Sequence, residues 1–388
     1  MPVNDHDLDE EWAKEAAEEE SDRRRKAEPG PKLSHEEFLA WRSPRSVKQQ
    51  AERLDNPLWH WLVRTRWNGY NANKIYAGPS PFDAGPMWCF DRFGKSETVL
   101  PDGRVIHIGG EHEDFYDPDF FIYNDVTVIV PDGETSIYGY PVEDFPPTDF
   151  HTATLVGKSI FIIGRLGYPE QRSIAATPVY QLALDSMHIG KVTTRGSPPG
   201  WIHRHNAVLA DDGFSIVVSG GTLWRGDDRA MSENIDSWAL NSMTGEWRRL
   251  TQRDWQRWTI RRVDRKRNRL WEVRQALWNR NHAHLGLDNR WEFDDTPNFE
   301  ALEMLYRLEE GVPPPIQGTD YNSYSVVVDG LVVRFKEDRL WIEVIVEGKL
   351  AEERLRALQR HTLELMEKIE ASACEIESRE GVSCLATL

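Results

Sequence analysis

Three glycines at almost even spacing limit the architecture more than any other feature of the chain. Gly109, Gly164 and Gly220 close the segments SETVLPDGRVIHIGG (96–110), HTATLVGKSIFIIGR (151–165) and HNAVLADDGFSIVVSGG (205–221), at steps of 55 and 56 residues. Each segment reads as an apolar strand, a tight turn, a second apolar strand and a closing glycine. Downstream, VYQLALDSMHIGKV (179–192) and IDSWALNSMTGEWRRL (235–250) repeat a strand, a turn and a strand, with Ala183-Leu184 and Ala239-Leu240 again 56 residues apart. Each unit therefore holds four strands. A unit of this size cannot bury both faces of its own sheet, so the units must stack on one another. The expectation is a mainly β body in which Val105 to Ile108, Ile160 to Ile163 and Ile216 to Val218 are equivalent strands.

The residues that carry the repeat resemble those of the kelch-repeat β-propeller family. The match lies in the His-x-Ala start at His151 and His205, the apolar strands running into Gly109-Gly110 and Gly220-Gly221, and the aromatic positions Tyr180, Trp238 and Trp247. Two positions depart from the pattern: Ser96 stands where the later units have His, and Arg165 stands where a second Gly is expected. The resemblance implies a kelch-like propeller, incomplete or eroded because about three units are legible over residues 90–250. The aromatic-rich stretch from Trp59 to Phe90 is one candidate to supply a degenerate blade.

Four segments follow along the chain. Residues 1–55 form an acidic, partly disordered or helical lead-in, with a capping box at Ser34 to Glu37 that starts a helix through Trp41. Residues 56–250 hold the propeller-like part. Residues 251–286 lack Gly until the last position and lack Pro altogether. Arg253, Arg257, Arg261, Arg265 and Arg269 recur there at i, i+4, which predicts a long basic amphipathic helix from a capping box at Thr251 to Gly286. Residues 287–388 read as a small α+β domain. It has a helix near 297–310, three antiparallel strands over 324–348 turning at Asp329-Gly330 and Asp338-Arg339, and a long helix over 349–378.

Charge and chemistry narrow the function. The net charge is −17, yet residues 248–280 carry twelve basic and three acidic side chains, a local +9. No apolar run reaches the ~18 residues a membrane span needs, and the acidic start lacks the form of a signal peptide. Three cysteines at unrelated spacings fit a reducing compartment, so a cytoplasmic protein without membrane association is expected. Nucleotide-loop, hydrolase-elbow, zincin and CxxC signatures are absent, so no catalytic residue and no cofactor is assigned. The pairs His203/His205 and His282/His284 are given structural roles, and no metal site is assigned.

Propeller-like folds act through end loops, and here these loops carry Glu111, Phe115 and Tyr116, then Tyr168 and Arg172, then Trp224 and Arg225. Aromatic and Arg side chains of this kind anchor protein interfaces. The expected function is non-catalytic binding of a protein partner, favoured to be basic; an immunity-type protein that neutralises a basic toxin has this profile. One alternative is a nucleic-acid-associated factor using the Arg/Trp-rich helix. Another is a kelch-like enzyme.

Overall fold

The structure is a computed structural model that describes residues 17–112, 120–226, 231–286, 291, 293–307, 315–318 and 322–378. The chain divides into two compact units; among the described residues the first holds those up to 226 and 233–251, and the second holds 231–232 and those from 252 onward. Antiparallel sheet dominates both. No described helix is long and apolar enough to cross a membrane.

Three successive meanders build the first unit. Ser96–Val99, Val105–Ile108, Val126–Ile129 and Thr135–Gly139 pair in chain order in the first sheet. Thr152–Val156, Ser159–Ile163, Val179–Ala183 and Ile189–Lys191 make the second, and Asn206–Leu209, Ser215–Ser219, Ser237–Asn241 and Glu246–Arg249 the third. The strands ending at the three repeat glycines thus take the second place in three separate sheets. Two-residue strands extend the outer edges: Glu52–Arg53 lies antiparallel to the first sheet and Arg195–Gly196 parallel to the third.

Side-chain alternation explains the stacking. Successive residues of a strand point to opposite faces. In the second sheet Ile160, Ile162 and Leu182 meet Ile106, Ile108, Val126 and Val128 of the first. The intervening Phe161 and Ile163 pack with Ile216, Val218, Trp238 and Leu240 of the third. The first strands of neighbouring sheets run beside each other. His151 Nε2 reaches Ser96 Oγ at 2.8 Å, and His205 Nε2 reaches Thr152 Oγ1 at 2.9 Å. Burial drives both imidazoles down to a pKa of about 3, so the repeat histidines are neutral links between sheets.

The far face of the first sheet is covered by helices, which corrects the expectation of a degenerate blade between Trp59 and Phe90. Helices His35–Trp41, Pro57–Thr65 and Gly69–Ile75 occupy the region, with a short turn at Pro81–Ala84. Ser34 forms the predicted capping box. Asn56 caps the second helix through its Oδ1, and Pro57 sits in the first turn, where its missing N–H costs nothing. Phe38, Leu58, Trp59, Leu62 and Trp88 are buried with Ile137 of the sheet, so the lead-in from residue 33 onward belongs to the packed body. Trp59 stacks on Trp88 at 4.8 Å. The Trp88 indole donates to Asp125, which also takes both terminal nitrogens of the buried Arg92.

In the second unit the long basic helix is replaced by a strand, a turn and a shorter helix. Gln256–Arg262 is a strand between Ile342–Val346 and Cys374–Ser378, and the helix spans only Leu270–Asn281. Spacing i, i+4 is an even step, so it keeps side chains on one face of a strand as well as near one face of a helix. Trp258 and Ile260 enter the core while Arg257 and Arg261 take the other face. Thr251 starts no helix; its hydroxyl donates to Asp236 Oδ1 and accepts from Ser237 N. The six-stranded sheet runs Ile316–Gln317, Ser323–Val328, Leu331–Glu337, Ile342–Val346, Gln256–Arg262, Cys374–Ser378. Asp329 and Gly330 have φ of 50° and 80°, as the predicted type I′ turn requires. The second turn centres on Arg339-Leu340, one residue later than expected, since Asp338 N bonds Trp341 O. The last helix, Glu352–Glu370, ends at left-handed Ala371 and gives way to the edge strand, so the expected helix to 378 is too long. Helix Phe299–Met304 stands where one was expected near 297–310 and is shorter, since Leu305 caps it and residues 305–307 are not helical.

The glycines make a graded prediction. A Cβ on Gly109 would lie 2.1 Å from Thr148 O and one on Gly164 2.3 Å from Ile202 O, whereas Gly220 meets nothing nearer than 3.7 Å. All three have positive φ. Gly220→Ala should therefore cost about 1 kcal/mol of backbone strain, and Gly109→Ala and Gly164→Ala clearly more, about 2 to 4 kcal/mol. Chemical denaturation of the three variants checks the order.

Candidate interaction surface

The loops that follow the second strand of each sheet form one hydrogen-bonded rim. After Gly109-Gly110, Glu111–His112 pairs with Phe121–Ile122. The Ile122 amide donates to the Tyr168 hydroxyl at 3.1 Å, linking the first loop to the second. Arg172 folds back on its own loop, with Nε on Leu166 O and a terminal nitrogen on Gly167 O. The Leu166 carbonyl also accepts from the Trp201 indole at 3.0 Å, and Trp201 O accepts from Trp224 N at 2.9 Å. Glu111, Tyr168, Arg172 and Trp224, predicted from three separate loops, thus lie along one connected edge, with Arg225 half-buried beside Trp224. Phe115 and Tyr116 lie outside the described residues.

Several residues of this rim were not selected from the sequence. Asp149, Phe150 and His151 stand in the same repeat positions as His203, Arg204 and His205, and this register was the available signal. Phe150 and Arg204 both have left-handed backbone, as does Gly94 one unit earlier. Arg204 N bonds Phe150 O and Phe150 N bonds Gly94 O, both at 2.8 Å. The Arg204 guanidinium lies 3.9 Å from the Phe150 ring centre, within cation–π range. Arg165, in the place of the missing second glycine, is buried; it donates to Pro147 O and Gln171 Oε1 and sits over Trp201. Gly110 and Gly221 need positive φ, whereas Arg165 does not, so a side chain is admitted there.

Two enclosed carboxyls lie beneath the rim. Asp149 is fully buried and accepts from Gly167 N at 2.7 Å through one oxygen. Burial, reinforced by the Asp149 charge, pushes the Glu111 carboxyl up to about 8; burial also raises Asp149. His112, next in sequence, has Nδ1 2.8 Å from Tyr123 Oη and is driven by burial down to about 4, so it is neutral.

The arginine ladder lies wholly in the second unit and is matched there. Arg257 pairs with Glu343, Arg261 with Glu375 and Glu377, Arg265 with the same two, and Arg269 with Asp295. Between them Arg262 bridges Asp264 and the buried Glu370, whose carboxylate also takes the Arg269 and Leu270 amides at the start of the helix. Arg253 lies over the Trp255 ring. The two His pairs differ in setting. His205 bonds across sheets, whereas His282 stacks on Trp278 at 4.3 Å with His284 6.0 Å away.

No family model matches the chain, and no curated protein matches it. Among solved structures, one described as the structure of YjhT overlaps 67% of this chain and 67% of its own at 12% identity, with a TM-score of 0.32. A likeness of that degree carries no argument about this chain.

The ladder yields a contrast between buried and exposed pairs. Arg257 and Glu343 are 11% and 4% exposed, so Arg257→Gln removes a charge partner of an interior carboxylate and should destabilise the second unit by about 3 kcal/mol. Arg265 is 51% exposed, and Arg265→Gln should cost less than ~1 kcal/mol. Thermal melts of the two variants measure the difference.

Proposed function

We propose that this is a non-catalytic interaction protein, and that the three meanders are an open arc of kelch-like, propeller-type units whose end loops hold a protein partner. The observation that carries this reading is the continuous hydrogen-bonded rim joining Glu111, Tyr168, Arg172 and Trp224. Partly exposed Tyr168 and Trp224, with the exposed Ile174 between their loops, supply the apolar anchors that interfaces use. Much of the concentrated basic charge is matched by carboxylates of its own unit, so the chain meets a partner with the field of its −17 net charge. That field favours a basic protein, and an immunity-type protein neutralising a basic toxin is one form such a role takes. A second reading, single-stranded nucleic acid, is favoured by the exposed Trp271 and Trp278, seven residues apart on one face of helix Leu270–Asn281.

A photo-crosslinking residue at Arg172 tests the rim against the opposite end of the same sheets, marked by the hairpin turn at Lys158. In the native host the Arg172 probe should capture a basic protein that the Lys158 probe does not. Equal capture at both positions would overturn the rim as the interface. Salt-sensitive binding of a labelled oligonucleotide, lost in Trp271→Ala/Trp278→Ala, would favour the second reading instead.

A further inference from the structure

We propose that the third sheet ends in a docking slot for an extended segment of a partner polypeptide, which enters as the lead-in of a further sheet would. The slot follows from the stacking of the three sheets and does not rest on the rim.

Each step from one sheet to the next is made by the same three links. The carbonyl of the incoming segment stands over the repeat glycine and takes the amide of the following residue: Thr148 O over Gly109, from Gly110 N, and Ile202 O over Gly164, from Arg165 N. Two positions on, a left-handed residue donates its amide to its counterpart in the sheet before, Phe150 to Gly94 O and Arg204 to Phe150 O. A histidine comes next, and its ring meets the leading side chain of the previous first strand, His151 with Ser96 and His205 with Thr152.

The third sheet keeps its half of all three links and uses none of them. Gly220 and Gly221 have φ of 62° and 83°, yet a Cβ on Gly220 would meet nothing nearer than 3.7 Å. Among the described residues, no group takes the Gly221 amide, none donates to the Arg204 carbonyl, and the Asn206 side chain makes no hydrogen bond. Asn206 is the counterpart of Ser96 and Thr152, since each pairs with the residue before its repeat glycine. Exposure follows the same contrast. Gly109 and Gly164 are buried and Gly220 is half-buried; Val208 is 65% exposed, whereas its counterpart Thr154 is 8% exposed.

The two filled steps define the chemistry of the occupant. It is an extended segment with a free carbonyl, a residue that tolerates left-handed backbone two positions later, and a histidine directly after that. Glycine suits the left-handed place best, as Gly94 shows in the first sheet. Main-chain groups make two of the three links, so recognition is strand addition with one side-chain check. The histidine ring bonds the Asn206 amide, and apolar residues beyond it cover Val208. A second copy of this chain is a poorer occupant: Lys95 stands in the histidine place of its first lead-in, and helices cover the far face of its first sheet.

A labelled peptide of residues 199–210, PGWIHRHNAVLA, carries the pattern and is the probe for fluorescence anisotropy with the full chain. It should bind saturably, and a scrambled peptide of the same composition should not. Gly220→Ala puts a methyl group where the incoming carbonyl stands and should weaken binding about tenfold, and Asn206→Ala about fivefold. Gly213→Ala carries the same kind of strain in a hairpin turn, at φ 77° with nothing within 4 Å, and should bind as the parent does. No saturable binding, equal binding by Gly220→Ala and the parent, or an equal loss in Gly213→Ala would overturn the slot. Self-association of the parent that Gly220→Ala abolishes would place a second copy there and overturn the partner segment. The peptide reads the slot alone, so failure here leaves the crosslinking result at Arg172 standing, and failure there leaves this one intact.

Discussion

The first unit depends on how closely each sheet's second strand approaches the chain leading into the next sheet. At Gly109 the Thr148 carbonyl stands where a Cβ would be, and Gly110 N bonds that same carbonyl at 2.8 Å. One unit later Gly164 meets the Ile202 carbonyl and Arg165 N bonds it at 3.0 Å. A side chain would force the two backbones apart and break both hydrogen bonds. The approach in turn fixes where the next first strand starts, and therefore which faces of the sheets meet. The left-handed residues Gly94, Phe150 and Arg204, bonded one to the next, carry the same constraint along the line of first strands.

Placing strands in this way also places loops. Because each meander repeats the last, the segments after Gly110, Arg165 and Gly221 emerge at the same end, and short links through Tyr168, Leu166 and Trp201 join them into a rim. The other end carries tight turns. In the second unit electrostatics does a different task. The basic strand is sandwiched between a strand bearing Glu343 and an edge strand bearing Glu375 and Glu377, so register across the sheet matches charge as well as apolar side chains.

The repeat was legible because two properties coincided at one period: apolar alternation, which sets strands, and glycine, which marks close approach. The rim loops followed from it. The basic segment was misread because four-residue spacing satisfies both helix and strand, and the alternation of Trp258 and Ile260 with Arg257, Thr259 and Arg261 was the discriminating signal. The helices after Asn56 carried their own signature, an Asn cap followed by Pro57, but the density of aromatics there resembles a strand-rich region. Asp149 escaped notice because its buried carboxylate takes the Gly167 amide 18 positions later; no local pattern marks such a pair. Arg165 looked like an erosion of the repeat and is instead a buried ligand of the loop carbonyls.

The stacking of first strand on first strand is tested most directly by a double-mutant cycle on His205 and Thr152, whose side chains meet across two sheets at 2.9 Å. Thr152→Val, His205→Ala and the double variant are compared by chemical denaturation. The account predicts a coupling of about 1 kcal/mol, the worth of one buried hydrogen bond. Additivity within about 0.3 kcal/mol would contradict it, because the two side chains would then not share a contact.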